Sequence, residues 1–517
     1  MTCKMKKNNI ILSFIIACLF ILQACEEDLP TMANYKDYSF ASVDSDAGSW
    51  TPVLLSSPDN IVIADPQPTS SAAYQTELEA LKQVRSSLSE SQKKAIAYWT
   101  NNPTLRWNEI ALELIAKYNL IPGPNEDGSY TLPNPNNPDG PPPFPFAHPP
   151  YAVRALAYMS VAQYDGLIAA WHYKYQFNRA EPSEVDPSIS PDYISNNIPS
   201  YPSDGAVVAQ ASKEVLKAMF PLEADYLEEM ANQHLNSLMW AGVNVQSDLD
   251  AGKIIGQEVA SIALSRAAND NMSKAQPNKA VSDSIKASAY DRFGWQWENL
   301  ESPVRPVGLT PLYSQVDMWY VPTLEEVRPI APPGMDSPEL AADIKKLVDI
   351  ADNVTEEQRA IANYWQDGLG TYTPPGHWNK IAIDHLIAYG QNPIRSARTL
   401  AYLNIAMMDA GISCWDAKYY YHYPRPIQLI PNFKTIAGTP NFPSYTSGHS
   451  VFSAAGAEVL SYVFPQDAQK FREWALEAAV SRVYGGIHWT FDAEVGTTQG
   501  IQVASYTIQA AQNDGAN

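Results

Sequence analysis

The feature that most constrains this 517-residue chain is a pattern that occurs twice. Arg154, Leu156, Ala157, Tyr158, Asp165, Trp171 and Lys174 are matched by Arg398, Leu400, Ala401, Tyr402, Asp409, Trp415 and Lys418, each pair 244 residues apart. The register continues through Pro199-Ser200-Tyr201 and Pro443-Ser444-Tyr445, through Ser203 and Ser447, and through Gly242, Asp248 and Gly252 with Gly486, Asp492 and Gly496. Upstream the spacing changes, but Trp107-Asn108 and Trp378-Asn379 keep the correspondence. A shared helical period can imitate isolated matches; it does not hold one register across so many aromatic and glycine positions. The body is therefore expected to be two copies of one unit, able to pack as an internal pseudo-dimer.

The unit reads as helical. Apolar residues recur at helical spacing in Ala95, Ile96 and Trp99, and again in Trp107, Ile110, Ala111, Leu114 and Ile115. Proline-rich loops (122–150 and roughly 276–333) separate the helical blocks, and strand-like alternation is scarce. The predicted fold is all-α, a helical bundle of two duplicated halves: a targeting segment over 1–24, a polar tether over 25–75, a first half over 76–330 and a second over 331–517.

At the N-terminus, Lys4, Lys6 and Lys7 precede an apolar run from Ile10 to Leu22 that is too short to span a bilayer. Leu22-Gln23-Ala24-Cys25 resembles the lipobox of bacterial lipoproteins. That resemblance implies cleavage before Cys25 and lipid attachment to it. It also implies an outer-membrane lipoprotein of a Gram-negative bacterium, periplasmic or surface-exposed and tied to the membrane by lipid alone. Cys3 and Cys18 would leave with the signal, so Cys414 has no partner for a disulfide and reads as a small buried apolar residue on a helix. The net charge of −21 argues against nucleic acid as a partner, and any anion site must be built from locally concentrated cations.

The copies differ where chemistry is at stake. The second has Gly448, His449, Arg482 and His488 where the first has Asp204, Gly205, Leu238 and Asn244, so a functional site is expected in the C-terminal half only. Three segments carry it: Lys418 with Arg425-Pro426, Pro443 to His449, and Ser481-Arg482 followed by His488 and Asp492. Lys418, Arg425 and Arg482 supply positive charge and many donors, the planar guanidinium forks suiting a tetrahedral oxyanion. Ser447 adds a hydroxyl, and Gly448 admits a ligand close to the backbone at an expected helix start, where free N–H groups favour an anion. His488 and Asp492, four apart, can share a helix face, so the carboxylate can fix the imidazole tautomer and leave a lone pair aimed into the pocket. His449 suits acid–base work.

In this order the segments resemble the three-part signature of the type 2 phosphatidic acid phosphatase superfamily, which includes bacterial acid phosphatases and vanadium-dependent haloperoxidases. The resemblance implies that Lys418, Arg425, Ser447, Gly448 and Arg482 bind the oxyanion and that His449 is the acid–base group. His488, supported by Asp492, is then either the vanadate ligand or the phosphoryl-accepting nucleophile. Thr446 stands where many members have proline. The length, the duplication and the positions of Trp415 and Phe442 (possible halide-side residues) resemble the chloroperoxidase type. The expected reaction is halide oxidation by hydrogen peroxide with vanadate as cofactor. The alternatives are an acid phosphatase acting on a phosphomonoester through a phosphohistidine, and a non-catalytic oxyanion-binding lipoprotein.

Overall fold

A computed structural model describes residues 38–100, 102–120, 147–192, 198–300 and 307–516. The targeting segment and Cys25 lie outside the described residues. No helix among those described is long and apolar enough to cross a membrane.

The first half runs through α1 (Ala72–Arg85), α2 (Glu90–Trp99), α3 (Pro103–Tyr118), α4 (Pro149–Phe177), α5 (Pro182–Val185), α6 (Asp204–Met219), α7 (Ala224–Trp240) and α8 (Gln246–Asn269). Two connecting helices follow, α9 (Lys279–Phe293) and α10 (Leu324–Val327). The second half is α11 (Pro338–Asn353), α12 (Glu356–Tyr364), α13 (Thr373–Ala388), α14 (Pro393–Tyr421), α15 (Pro426–Leu429), α16 (Gly448–Val463), α17 (Ala468–Tyr484) and α18 (Thr490–Gln512). The described residues contain no β-strand, and the repeat extends helix for helix across both halves.

Both α4 and α14 are 29 residues long and buried almost all round, as a helix must be when it lies at the centre of a bundle. They pack on each other, and counterparts meet: Asn404 Nδ2 donates to Ser160 Oγ at 3.1 Å, the two positions being 244 apart. Likewise Asn108 Nδ2 donates to its match Asn379 Oδ1 at 3.0 Å. A residue touching its own counterpart marks an isologous contact, so the halves form the pseudo-dimer expected from the repeat.

Matched residues do matched work. Arg154 binds Asp270 and Arg398 binds Asp514, each Nε to Oδ2 at 2.7 Å, with Tyr158 and Tyr402 donating to the same oxygens at 3.0 Å. Gly242 and Gly486 end α7 and α17 at φ +79° and +75°, the left-handed stop that glycine takes without strain. Gly252 and Gly496 let α8 and α18 lie against the N-terminal turns of α6 and α16; a Cβ at either would run into Ser203 O or Ser447 O.

One expectation is corrected. The polar tether is, over its described part, laid on the body rather than free. Asp165 on α4 accepts the backbone N–H groups of Val53, Leu54 and Leu55 at 2.6 to 3.0 Å, and Trp50, Leu55, Ile61 and Ile63 are buried. The same device recurs at Asp409, which accepts from Trp319, Tyr320 and Val321 at 2.8 to 3.3 Å. A buried carboxylate needs donors, and each half draws them from the strap that precedes it.

Candidate active site

At one end of α14 the three segments converge. Lys418, in the last turn of α14, is fully buried and donates to the carbonyls of Pro443, Ser444 and Thr446 at 3.0, 2.9 and 2.5 Å. Arg425, which caps α15, donates to Phe442 O at 3.1 Å and Ile487 O at 2.6 Å. Arg482, in the last turn of α17, donates to Ala362 O at 2.7 Å. All three are buried, and none has a carboxylate within ion-pair distance among the described residues. Burial pushes all three below their ordinary ranges, Arg425 to about 9 and Arg482 to about 10.

Behind them sits His488. Its Nδ1 is 2.8 Å from Asp492 Oδ2, and its Nε2 is 3.3 Å from an Arg425 nitrogen. A guanidinium can only donate, so Nε2 is the acceptor and Nδ1 carries the proton. Burial, then the charges of Arg425 and Lys418, hold the ring well below its ordinary range. The result is a neutral imidazole with its lone pair on the cationic side. Asp492 Oδ2 is further held by Ser444 Oγ at 2.5 Å and by the Trp489 backbone N–H at 3.2 Å.

The expected shared helix face is not how this pair meets. His488 precedes α18, whose first residue is Thr490, and Asp492 in the first turn reaches back to it. The same carboxylate thus holds both the helix start and the imidazole.

Ser447 caps α16, accepting from Ser450 N at 3.4 Å, and Gly448 and His449 open that helix. A Cβ at Gly448 would come no closer than 3.9 Å to Trp415 or 4.0 Å to Phe452. Its φ is not left-handed either. Neither packing nor conformation requires glycine there, so the space in front of it is available to a ligand. The Tyr445–Thr446 peptide is cis, as is Tyr201–Pro202 in the first half, so Thr446 keeps the turn that the other copy makes with proline.

Phe442 lies under both cations, its ring centre 4.9 Å from Lys418 Nζ and 5.2 Å from Arg425 Cζ. Trp415 packs 5.1 Å from that ring and donates to Leu309 O at 3.1 Å. Its counterpart Trp171 makes the equivalent bond to Val43 O at 3.0 Å, so each tryptophan fastens a strap. Cys414 is buried on α14 against Thr446, its thiol pushed up by burial.

The site includes residues the sequence reading passed over. Ser444 was hidden because its match Ser200 makes the position look like scaffold. Asp367 and His377 lie beside His449 and Arg482. The step from Arg106-Trp107 to His377-Trp378 was a difference between copies of the informative kind.

The first half retains a cavity of about 60 Å³ at the matched place, lined by Lys174, Glu181, Ser200, Asp204, Leu238 and Asn244 among others. Lys174 donates to Pro199 O at 2.6 Å but also pairs with Asp204 Oδ1 at 3.0 Å, and Glu181 stands where the second half has Arg425. The pocket persists, with its charge balanced internally.

The fold and this convergence of three motifs define a class. The segment that holds the site, residues 399–516, matches the family model of the PAP2 superfamily. The all-helical body as a whole has the vanadium haloperoxidase fold. The first bacterial vanadium-dependent iodoperoxidase aligns with a TM-score of 0.59 at 22% identity, covering 79% of this chain and 96% of that one. In sequence, the vanadium chloroperoxidase of Curvularia inaequalis is 22% identical across 29% of this chain and 40% of that protein. The non-specific acid phosphatase of Salmonella typhi is 33% identical across 18% of this chain and 39% of that protein. The chain spans about two fifths of the length of these curated relatives.

Proposed function

We propose that this protein is a haloperoxidase-like enzyme that oxidises halide with hydrogen peroxide, using vanadate held by His488. One observation supports the reading above others. Three buried cations with no carboxylate at ion-pair distance act on a neutral imidazole whose Nε2 lies 3.3 Å from Arg425, and Gly448 at the start of α16 leaves space that a Cβ would occupy without meeting the protein. Burying so much unpaired positive charge costs several kcal/mol per ion unless an anion repays it, and the forks of Arg425 and Arg482 suit one with tetrahedral or trigonal oxygens.

Vanadate fits these residues, and when bound it supplies a Lewis-acidic centre that activates peroxide without changing oxidation state. His488 Nε2 would hold it, and Lys418, Arg425, Arg482, Ser447 and the backbone at Gly448 would neutralise its oxygens. Asp492 keeps the His488 proton on Nδ1, so the ligating nitrogen stays free of it. His449 takes and returns the protons of the incoming peroxide. Phe442 and Trp415 give the halide side an apolar wall.

The neutral, lone-pair-bearing His488 and the acid phosphatase relative favour one second reading, hydrolysis of a phosphomonoester. There Nε2 attacks phosphorus, the ester P–O bond breaks, and His449 protonates the leaving oxygen. Water then cleaves the phosphohistidine. Purified protein assayed for halide oxidation with vanadate and peroxide, and separately for phosphomonoester hydrolysis, decides between them. Tight oxyanion binding with neither activity would leave a binding protein. Lipid attachment at Cys25 belongs to the same proposal, and intact mass of the chain extracted from its own membranes tests it.

A further inference from the structure

Beside the described site lies a second carboxylate–imidazole couple. Asp367 Oδ1 is 3.0 Å from His377 Nδ1, and both side chains are largely buried. His377 is held in turn by stacking on Trp365, ring centres 4.4 Å apart, and by Tyr364 OH at 3.3 Å from Nε2. The other oxygen of Asp367, Oδ2, is buried without a hydrogen-bond partner, and so is Nε2 of His449. These two orphaned atoms face each other at 3.8 Å, an ion-pair separation that is too long for a hydrogen bond. Asp367 takes a left-handed backbone conformation, φ +43°, which costs a non-glycine residue about 1–2 kcal/mol. Strain of this kind persists where surrounding structure insists on one geometry.

Building on the reading above, we propose that Asp367 and His377 are positioning residues for His449. Asp367 receives the Nε2 proton of His449 and so commits its other nitrogen, Nδ1, to the reacting oxygens. The logic is that of Asp492 and His488 applied to the second imidazole: a carboxylate on one nitrogen fixes the tautomer and turns the other nitrogen outward. His377 secures the far oxygen of Asp367, so the carboxylate cannot swing to Arg482 and neutralise one of the three cations. The groups facing His449 are Asp367 before α13, His377 on α13, Arg482 on α17 and, across the pocket, His488. Of these only Asp367 is an anion, and the Trp365 and Gln366 backbone also favours a proton on His449.

The test uses the full chain labelled with ¹⁵N-histidine, with the His449 signals identified by their loss in His449→Gln. The wild type should show His449 protonated at Nε2 and bare at Nδ1. Asp367→Asn should mix the tautomers, so that signals of both protonated nitrogens appear for His449. This readout stands even if neither proposed activity is found. Where turnover is measurable, Asp367→Asn should lower kcat about 10–100-fold, the usual cost of removing a residue that orients another, with KM and phosphate affinity changed less than about threefold. His377→Gln, which keeps a donor, should retain most activity, and His377→Phe, which keeps only the stacking, should lose it. Unchanged His449 signals in Asp367→Asn would overturn the proposal. So would equal behaviour of His377→Gln and His377→Phe, or loss of phosphate binding in step with loss of folding.

Discussion

Lys418 and Lys174 occupy the same place at the end of matched 29-residue helices, and each donates to the carbonyl of a matched proline. They differ in what else surrounds them. Lys174 has Asp204 at 3.0 Å and Glu181 nearby; Lys418 has Gly448 and Arg425 at those positions and no carboxylate within ion-pair reach among the described residues. One pocket balances its own charge, and the other leaves the balance to whatever enters. The scaffold that delivers both lysines is the same, so the chemistry resides in a handful of substitutions on it rather than in the fold.

The comparison breaks most sharply at the imidazole. His488→Ala should reduce turnover, in whichever of the two reactions is found, by roughly 10³-fold or more, the scale on which loss of a nucleophile or its equivalent acts. Asn244→Ala, at the matched position, should leave kcat/KM within about twofold. Steady-state kinetics on the pair checks this, and normal turnover in His488→Ala would remove it from the mechanism. Where the halves agree, they should fail alike. Asp514→Asn and Asp270→Asn each remove a buried anion from its arginine and should each cost about 3–5 kcal/mol of stability, read by urea denaturation. A large cost in one half and none in the other would mean that the duplicated ion pairs are not equivalent supports.

A smaller effect separates ligand space from packing space. Gly448→Ala should weaken phosphate binding about 10–100-fold, by calorimetry, while Tm holds, because the added methyl meets only ordinary contacts with the protein. Gly496→Ala should do the reverse, retaining affinity in the folded fraction but costing about 1–3 kcal/mol of stability, since its methyl would press on Ser447 O and Ser450 Cβ at 3.1 and 3.0 Å. A Gly448→Ala variant with undiminished affinity would place the ligand elsewhere.

Much of this was legible in the sequence because duplication supplies its own control. Positions that match across the 244-residue register include scaffold, as with Arg398 and Gly496, and also Lys418, Ser447 and Asp492, which the site reuses. Positions that differ, His449, Arg482 and His488, come within electrostatic reach of one another, with Gly448 beside His449. The same logic misled at Ser444, which matches Ser200 yet binds Asp492 only in the half where that carboxylate also holds an imidazole. Asp367 and His377 were missed because they lie upstream, where the register slips, and because their partner His449 is 82 and 72 residues away in the chain; no local spacing announces such a meeting. The strap over 38–71 was misread because its composition is polar. Its order comes from partners on the body that no window on the strap itself contains, Asp165, Trp171 and Tyr173 on α4 and Arg395 on α14 among them.

The smallest effect tests the difference between the lysines themselves. Burial lowers Lys418, and no carboxylate at ion-pair distance restores it. A bound anion would do so, which means that binding takes up a proton once the free site has begun to lose it, and affinity must then fall as pH rises. Asp492, pushed up by burial, gains its charge over the same range and acts in the same direction. Sulfate is the suitable probe, because its own charge is constant here whereas that of phosphate changes. Its affinity should drop a few-fold to about tenfold between pH 7 and pH 9, at most one decade per proton taken up per pH unit. Lys418→Met should bind more weakly throughout but lose most of the slope, the remainder belonging to Asp492 and Arg425. Lys174→Met should keep the slope unchanged. A flat profile in the wild type would mean that Lys418 stays charged without an anion, and the contrast between the two pockets would then rest on Arg425 and Arg482 alone.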